Sequence, residues 1–274
     1  AELRAASHEL LDGFEERGEA EFLLVTGVVL INERYAEARA AAEALHNGGA
    51  VDAMTVRTLY APAHECVHML QLLTTRFVLW TAFELFGLAM KTHVNRQRAR
   101  SEAEWLPSVL SSHRALQRRL QGREHGISAL EVMEAQAVLE GFRGFASVHV
   151  PGGLQLVLRL AHDGLPTYSR LIEAMLQAHG FELTLEVLPR LCWVALNADD
   201  PGRWLATALQ ALDDDALRGL AGQSATQTCE QFGMVPARAA SSWRLRRPAI
   251  TEHPMYGLLK GYFDALEREI DRFL

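Results

Sequence analysis

The 274-residue chain carries 27 Lys and Arg against 34 Asp and Glu, a formal net charge of −7, with 49% hydrophobic and 22% charged residues. That balance is ordinary for a soluble globular protein with a substantial core, and a pI of about 5.9 disfavours a broad nucleic-acid surface. Cys66, Cys192 and Cys229 are too few and too widely spaced for a disulfide framework and suit a reducing cytoplasm.

Glu2 to Glu16 reads as a helix with Leu3, Leu10, Leu11 and Phe14 on one side; Glu9, Asp12, Glu15 and Glu16 make a secretory leader unexpected there. Glu21 to Asn32 is a continuous apolar run with β-branched residues, ambiguous between a strand and a buried helix. The alanines of Glu33 to His46 predict a helix that stops at Asn47-Gly48-Gly49. Val51 to Tyr60 is expected to be a linker or short strand.

The next stretch, Ala61-Pro62-Ala63-His64-Glu65-Cys66-Val67-His68-Met69-Leu70-Gln71, reads H-E-x-x-H and opens an apolar segment running to about Met90. Pro62 fits the first turn of a helix, where a missing N–H costs nothing. A helix starting there puts His64 and His68 one turn apart on one face, within reach of a single metal ion. Glu65 is rotated about 100° from His64, beside the ion, where a general base for a bound water belongs. Gln71 and Thr75 continue the His64 face at the helical repeat, and a polar line on an apolar helix predicts a lined cavity with substrate contacts. Cys66 points about 200° away from His64 and is expected to pack in the core. The bland alternative is a pair of satisfied histidines near a helix end, with Glu65 a favourable charge in the first turn. Phe77 to Met90 contains Glu84 and, at about fourteen residues, is too short to span a bilayer.

Beyond the motif, Asn95 to Arg100 is a polar break whose basic residues read as a solvated helix end. Ser101 to Gln121 is a predicted helix with Ser101 as cap and Glu102 and Glu104 in its first turn. Gly126 to Gly141 is a further helix, with Ser128 and Glu131 spaced as a capping box. The cap accounts for Glu131 and leaves Glu134 among Leu130, Met133, Ala135, Ala137 and Val138 without one. Glu134 is therefore the expected third metal ligand, Glu131 its rival, and an ordinary exposed helix Glu the alternative. His149, in the break from Phe142 to Gly153, is a candidate substrate contact. Helices follow over Leu154 to His162, Thr167 to His179, Thr184 to Leu196 with a kink at Pro189, and Pro201 to Leu212. Asp213 to Asp215 reads as a cap and solvated turn, Ala216 to Phe232 as short helix, Gly233 to Thr251 as loop, and Pro254 to Leu274 as a closing helix. The fold class expected is mainly α: a single helical domain over 1–274, built around a buried H-E-x-x-H helix, with little or no sheet.

His64-Glu65-x-x-His68 followed by Glu134-x-x-Ala137 resembles the gluzincin type of zinc metallopeptidase. Met133 and Val138 stand where that family often has Asn and Asp. The resemblance implies zinc held by His64, His68 and Glu134, Glu65 as the base, and hydrolysis of a peptide or small amide or ester substrate. A second reading takes Glu65-x-x-His68 as the E-x-x-H pair of a ferritin-like di-iron oxygenase, with Glu33 or Glu37, Glu131, Glu134 and Glu43-x-x-His46 completing it. A third is a metal-free helical binding protein. None of these involves nucleic acid or a membrane.

Overall fold

A computed structural model describes residues 20–23, 28–31, 40, 43, 53–98, 101–143, 154–155, 157–159 and 167–234. The protein is mainly helical there, with strands β1 (Ala20–Leu23) and β2 (Val28–Ile31) and helices α1 (Ala53–Thr74), α2 (Arg76–Gln97), α3 (Glu102–Gln121) and α4 (Ala129–Arg143). After these come α5 (Thr167–Ala195), α6 (Pro201–Ala211), α7 (Asp214–Ala221) and α8 (Ala225–Gln231). The helices expected over 2–16 and 254–274 lie outside the described residues, as do nearly all of 33–46 and all of His149.

The chain packs as two compact units, each drawn from two stretches: Ala1–Leu70 with Leu130–Pro189, and Gln71–Ala129 with Arg190–Leu274. In the first, the ambiguous apolar run resolves into strand: β1 and β2 pair antiparallel with Ala20 opposite Ile31 and Leu23 opposite Val28. Val28, Val29 and Ile31 carry the β-branched bias that tips a short apolar run toward a hairpin.

α1 begins at Ala53, nine residues before Pro62, so the linker or strand expected over 51–60 is helix instead. No glycine or proline interrupts Ala53 to Ala61, and α1 runs on through Pro62 although the ring forfeits the bond to the residue 58 carbonyl and crowds it. Every residue of α4 from Glu131 to Leu139 is buried, which small side chains at Ala135 and Ala137 permit. A helix covered on all sides carries its polar residues inward with it. α5 joins two expected helices across Gly180, whose φ of 79° no β-carbon would tolerate well. The non-helical residue inside α5 is Gly180, and Pro189, where a kink is expected, lies within the helix. Val132, Val138, Leu139, Ile172, Val187 and Leu188 fill this unit's core.

In the second unit the long helix expected through Met90 is interrupted. Thr75 is extended (φ −122°, ψ 143°), and the axis turns by 92° between residues 63–74 and 76–97. Asn197 makes the corner possible: its Oδ1 accepts from the Arg76 N–H at 3.2 Å, while the Leu196 carbonyl accepts from the Phe77 N–H at 2.9 Å. Two of the orphan donors at the start of α2 are thereby satisfied by the two residues 196–197 just beyond α5. α2 packs antiparallel on α3: the Arg119 guanidinium lies 4.9 Å over the Phe77 ring, and Lys91 donates to Ser108 at 2.8 Å. Ser101 stands at the N-cap of α3 as expected, without a side-chain capping bond. Asp213 caps α7 by accepting from the Ala216 N–H at 2.8 Å, the structural role expected of it. Among the described residues no single helix is long and apolar enough to cross a membrane.

Candidate metal centre

The site is built within the first unit from one face of α1 and the buried flank of α4. Because 64 and 68 are a helical turn apart, the two imidazoles lie side by side, ring planes at 89° and centroids 4.7 Å apart. Their Nε2 atoms are 3.1 Å from each other. Glu134 of α4 brings one carboxylate oxygen, Oε2, to 3.2 Å from His64 Nε2 and 3.4 Å from His68 Nε2. His64, His68 and Glu134 are each less than a tenth exposed.

Those three separations decide what the group can hold. Ligand atoms on a tetrahedral ion at zinc-like distances of about 2.0–2.1 Å stand about 3.3 Å apart. The triangle of 3.1, 3.2 and 3.4 Å therefore has the size that a shared ion requires. The donor set agrees with it: two imidazoles and one carboxylate, a combination suited to zinc and to other first-row divalent metals. Glu134 Oε2 is fully buried and receives no properly aligned hydrogen bond, although both ring nitrogens are close. A buried acceptor left in that condition is what a cation would satisfy.

The electrostatics favour an anion at this point. Burial pushes the Glu134 carboxyl up, but the charges of and contacts with the His68 and His64 imidazoles outweigh it and hold the group down to about 2. Glu65 stands beside the trio: its Oε1 is 4.0 Å from His64 Nε2, and its side chain is 16% exposed against 6% for Glu134.

Glu131, the rival third ligand, is buried one turn earlier on α4, with its Oε1 3.7 Å from Arg170 Nη1; it is not in the group of converging ligand atoms. Gln71 and Thr75 are both 1% exposed and belong to the second unit. Thr75 cannot extend the helical face of His64, because α1 ends at Thr74 and the Thr75 hydroxyl donates to the Gln71 carbonyl at 2.7 Å. Cys66 is exposed, not packed in the core as expected. Burial of part of the side chain and the charge of Glu65 push its thiol up, away from the thiolate a ligand must be.

Two residues beside the site escaped the sequence reading. Tyr60 lies one turn before His64, its hydroxyl 3.4 Å from His64 Nδ1. Gly141 of α4 faces the same turn: a β-carbon there would come within 3.3 Å of the His64 backbone nitrogen and 3.4 Å of the Tyr60 ring. The signal for Tyr60 is its i−4 spacing from His64, masked by the preference of Pro62 for the first turn of a helix. No protein-family model matches this sequence, and no characterised protein or solved structure matches it either.

Proposed function

We propose that the protein is a metal-dependent hydrolase, with zinc held by His64, His68 and Glu134 and Glu65 as general base, acting on a peptide or a small amide or ester. The observation that carries this reading is the buried triangle of ligand atoms 3.1–3.4 Å apart, the spacing of donors around one small ion. Zinc held by these residues would supply Lewis acidity and would lower the pKa of a bound water. The chain's own residues do the rest. Glu134 supplies the one negative charge of the ligand set, and the two neutral imidazoles complete it. Glu65, on the more open side of the group, accepts the proton of the attacking water and returns it to the leaving group. Low exposure of the trio keeps bulk water from competing for the same donors. Three widely spaced cysteines, Cys66, Cys192 and Cys229, with no disulfide among the described residues, support a reducing, cytoplasmic setting.

The di-iron reading asks for Glu65 and His68 as ligands and leaves His64 out. The short separations instead join His64 to His68 and Glu134, with Glu65 farther off. Elemental analysis of the purified protein tests the reading directly. One zinc per chain, lost in His64→Ala and in His68→Ala, is the expected result. Two irons per chain would replace it with an oxygenase, and a protein that takes up neither metal at micromolar concentrations would leave only a binding function.

A further inference from the structure

The hydroxyl of Tyr60 reaches the far nitrogen of a ligand imidazole, and the packing that holds it there is specific. Tyr60 is 7% exposed, its ring lies 5.7 Å from the His64 ring at 53°, and its oxygen is 3.4 Å from Nδ1. Gly141 lets α4 close tightly on both residues: a methyl group there would stand 3.3 Å from the His64 backbone nitrogen, closer than most such contacts, and 3.4 Å from the Tyr60 ring. Gly141 and Glu134 are seven residues apart on α4, two turns along one face, so the same helix contact that clamps Tyr60 also sets how far Glu134 reaches.

An imidazole that gives its Nε2 lone pair to an ion must carry its proton on Nδ1, and that proton needs an acceptor. From this geometry we infer that Tyr60 is a positioning residue for the metal centre: its oxygen accepts from Nδ1–H of His64 and so directs Nε2 at His68 and Glu134. The inference rests on the metal-binding reading above. A hydroxyl suits the place better than a carboxylate because it donates as well as accepts. Without an ion it serves the tautomer in which Nε2–H faces Glu134, by donating its own proton to Nδ1. With an ion it turns and accepts. Being neutral, Tyr60 leaves the charge of the ligand set at the single charge of Glu134.

Tyr60→Phe keeps the ring against Gly141 and removes only the oxygen. Zinc affinity, measured by competition with a chromophoric chelator, is expected to fall roughly 10–100-fold, the usual worth of such an outer partner. The unfolding midpoint should fall further in the zinc-loaded variant than in the zinc-free one, each against wild type under the same condition, a difference that a merely structural tyrosine would not produce. Nitrogen chemical shifts of His64 in the zinc-loaded wild type give an independent reading: Nδ1 should be the protonated nitrogen. Unchanged affinity, an equal fall in stability with and without zinc, or a proton on Nε2 would each overturn the role of Tyr60. Wild-type protein that binds no zinc would instead overturn the underlying metal assignment, so the two failures are distinguishable.

Discussion

Glu134→Gln is the sharpest perturbation available, because it keeps the shape of the side chain and deletes the only anion among the converging ligand atoms. A ligand that binds only the folded protein adds about 2.7 kcal/mol of stability when present at a hundred times its Kd. For a chain of 274 residues the unfolding entropy is about 0.6 kcal/mol per kelvin, so that stabilisation moves the midpoint by about 5 °C. Thermal unfolding of the wild type with saturating zinc, compared with the same protein in EDTA, should show a rise of this order. The variant should show little or none at the same zinc concentration, since an amide oxygen at that point is a far weaker ligand than a carboxylate. In EDTA the variant should also be less stable than the wild type, because the two imidazoles lose the carboxylate 3.2 and 3.4 Å away. A zinc-dependent rise in Glu134→Gln equal to that of the wild type would refute the assignment of Glu134 to the centre.

What the sequence revealed and what it hid have physical causes that can be named. The H-E-x-x-H spacing carried the site because helix geometry alone brings residues four apart to one face, whatever surrounds them. Glu134 was singled out by the alanines around it, and the structure shows why that pattern carries information: small residues let α4 bury on every side, so a carboxylate there has no solvent to face. The corner at Thr75 was illegible. Nothing local demands it, since Thr74, Thr75 and Arg76 could all continue a helix; Asn197, about 120 residues away, makes it by accepting from the Arg76 N–H. Pro62 misled in the opposite direction. Its preference for a first turn is a statistical one, and a long helix with good formers on both sides absorbs the loss of one bond. The same preference conceals Tyr60, which precedes Pro62 in the chain.

Other perturbations test separate parts of the structure. In zinc-free protein Glu134 is held down to about 2, so its contribution to stability is present above the usual carboxylate range near 4.5 and is lost as pH falls toward 2. Chemical denaturation at a series of pH values should show roughly 3 kcal/mol lost on that limb in the wild type and not in Glu134→Gln. Gly141→Val should overpack the contact with His64 and Tyr60, lowering stability by about 1–3 kcal/mol and weakening zinc binding with it; normal zinc affinity in a folded variant would separate the two helices' spacing from the site. Asn197→Ala should cost about 1–2 kcal/mol by leaving the start of α2 uncapped, with zinc affinity per folded molecule unchanged. The last, Glu65→Gln, separates the hydrolase reading from the oxygenase one. In a hydrolytic site Glu65 touches the water and not the metal, which agrees with its 4.0 Å distance from His64 Nε2 and its greater exposure than Glu134. Zinc should then remain bound at wild-type stoichiometry while turnover of an amide or ester substrate falls by roughly 10²–10⁴, the range for a positioned general base. In a di-iron site the same carboxylate is itself a ligand, and its loss would empty the site. Metal analysis and rate measurement on the one variant therefore give opposite pairs of results: metal kept and activity lost for a hydrolase, both lost together for an oxygenase.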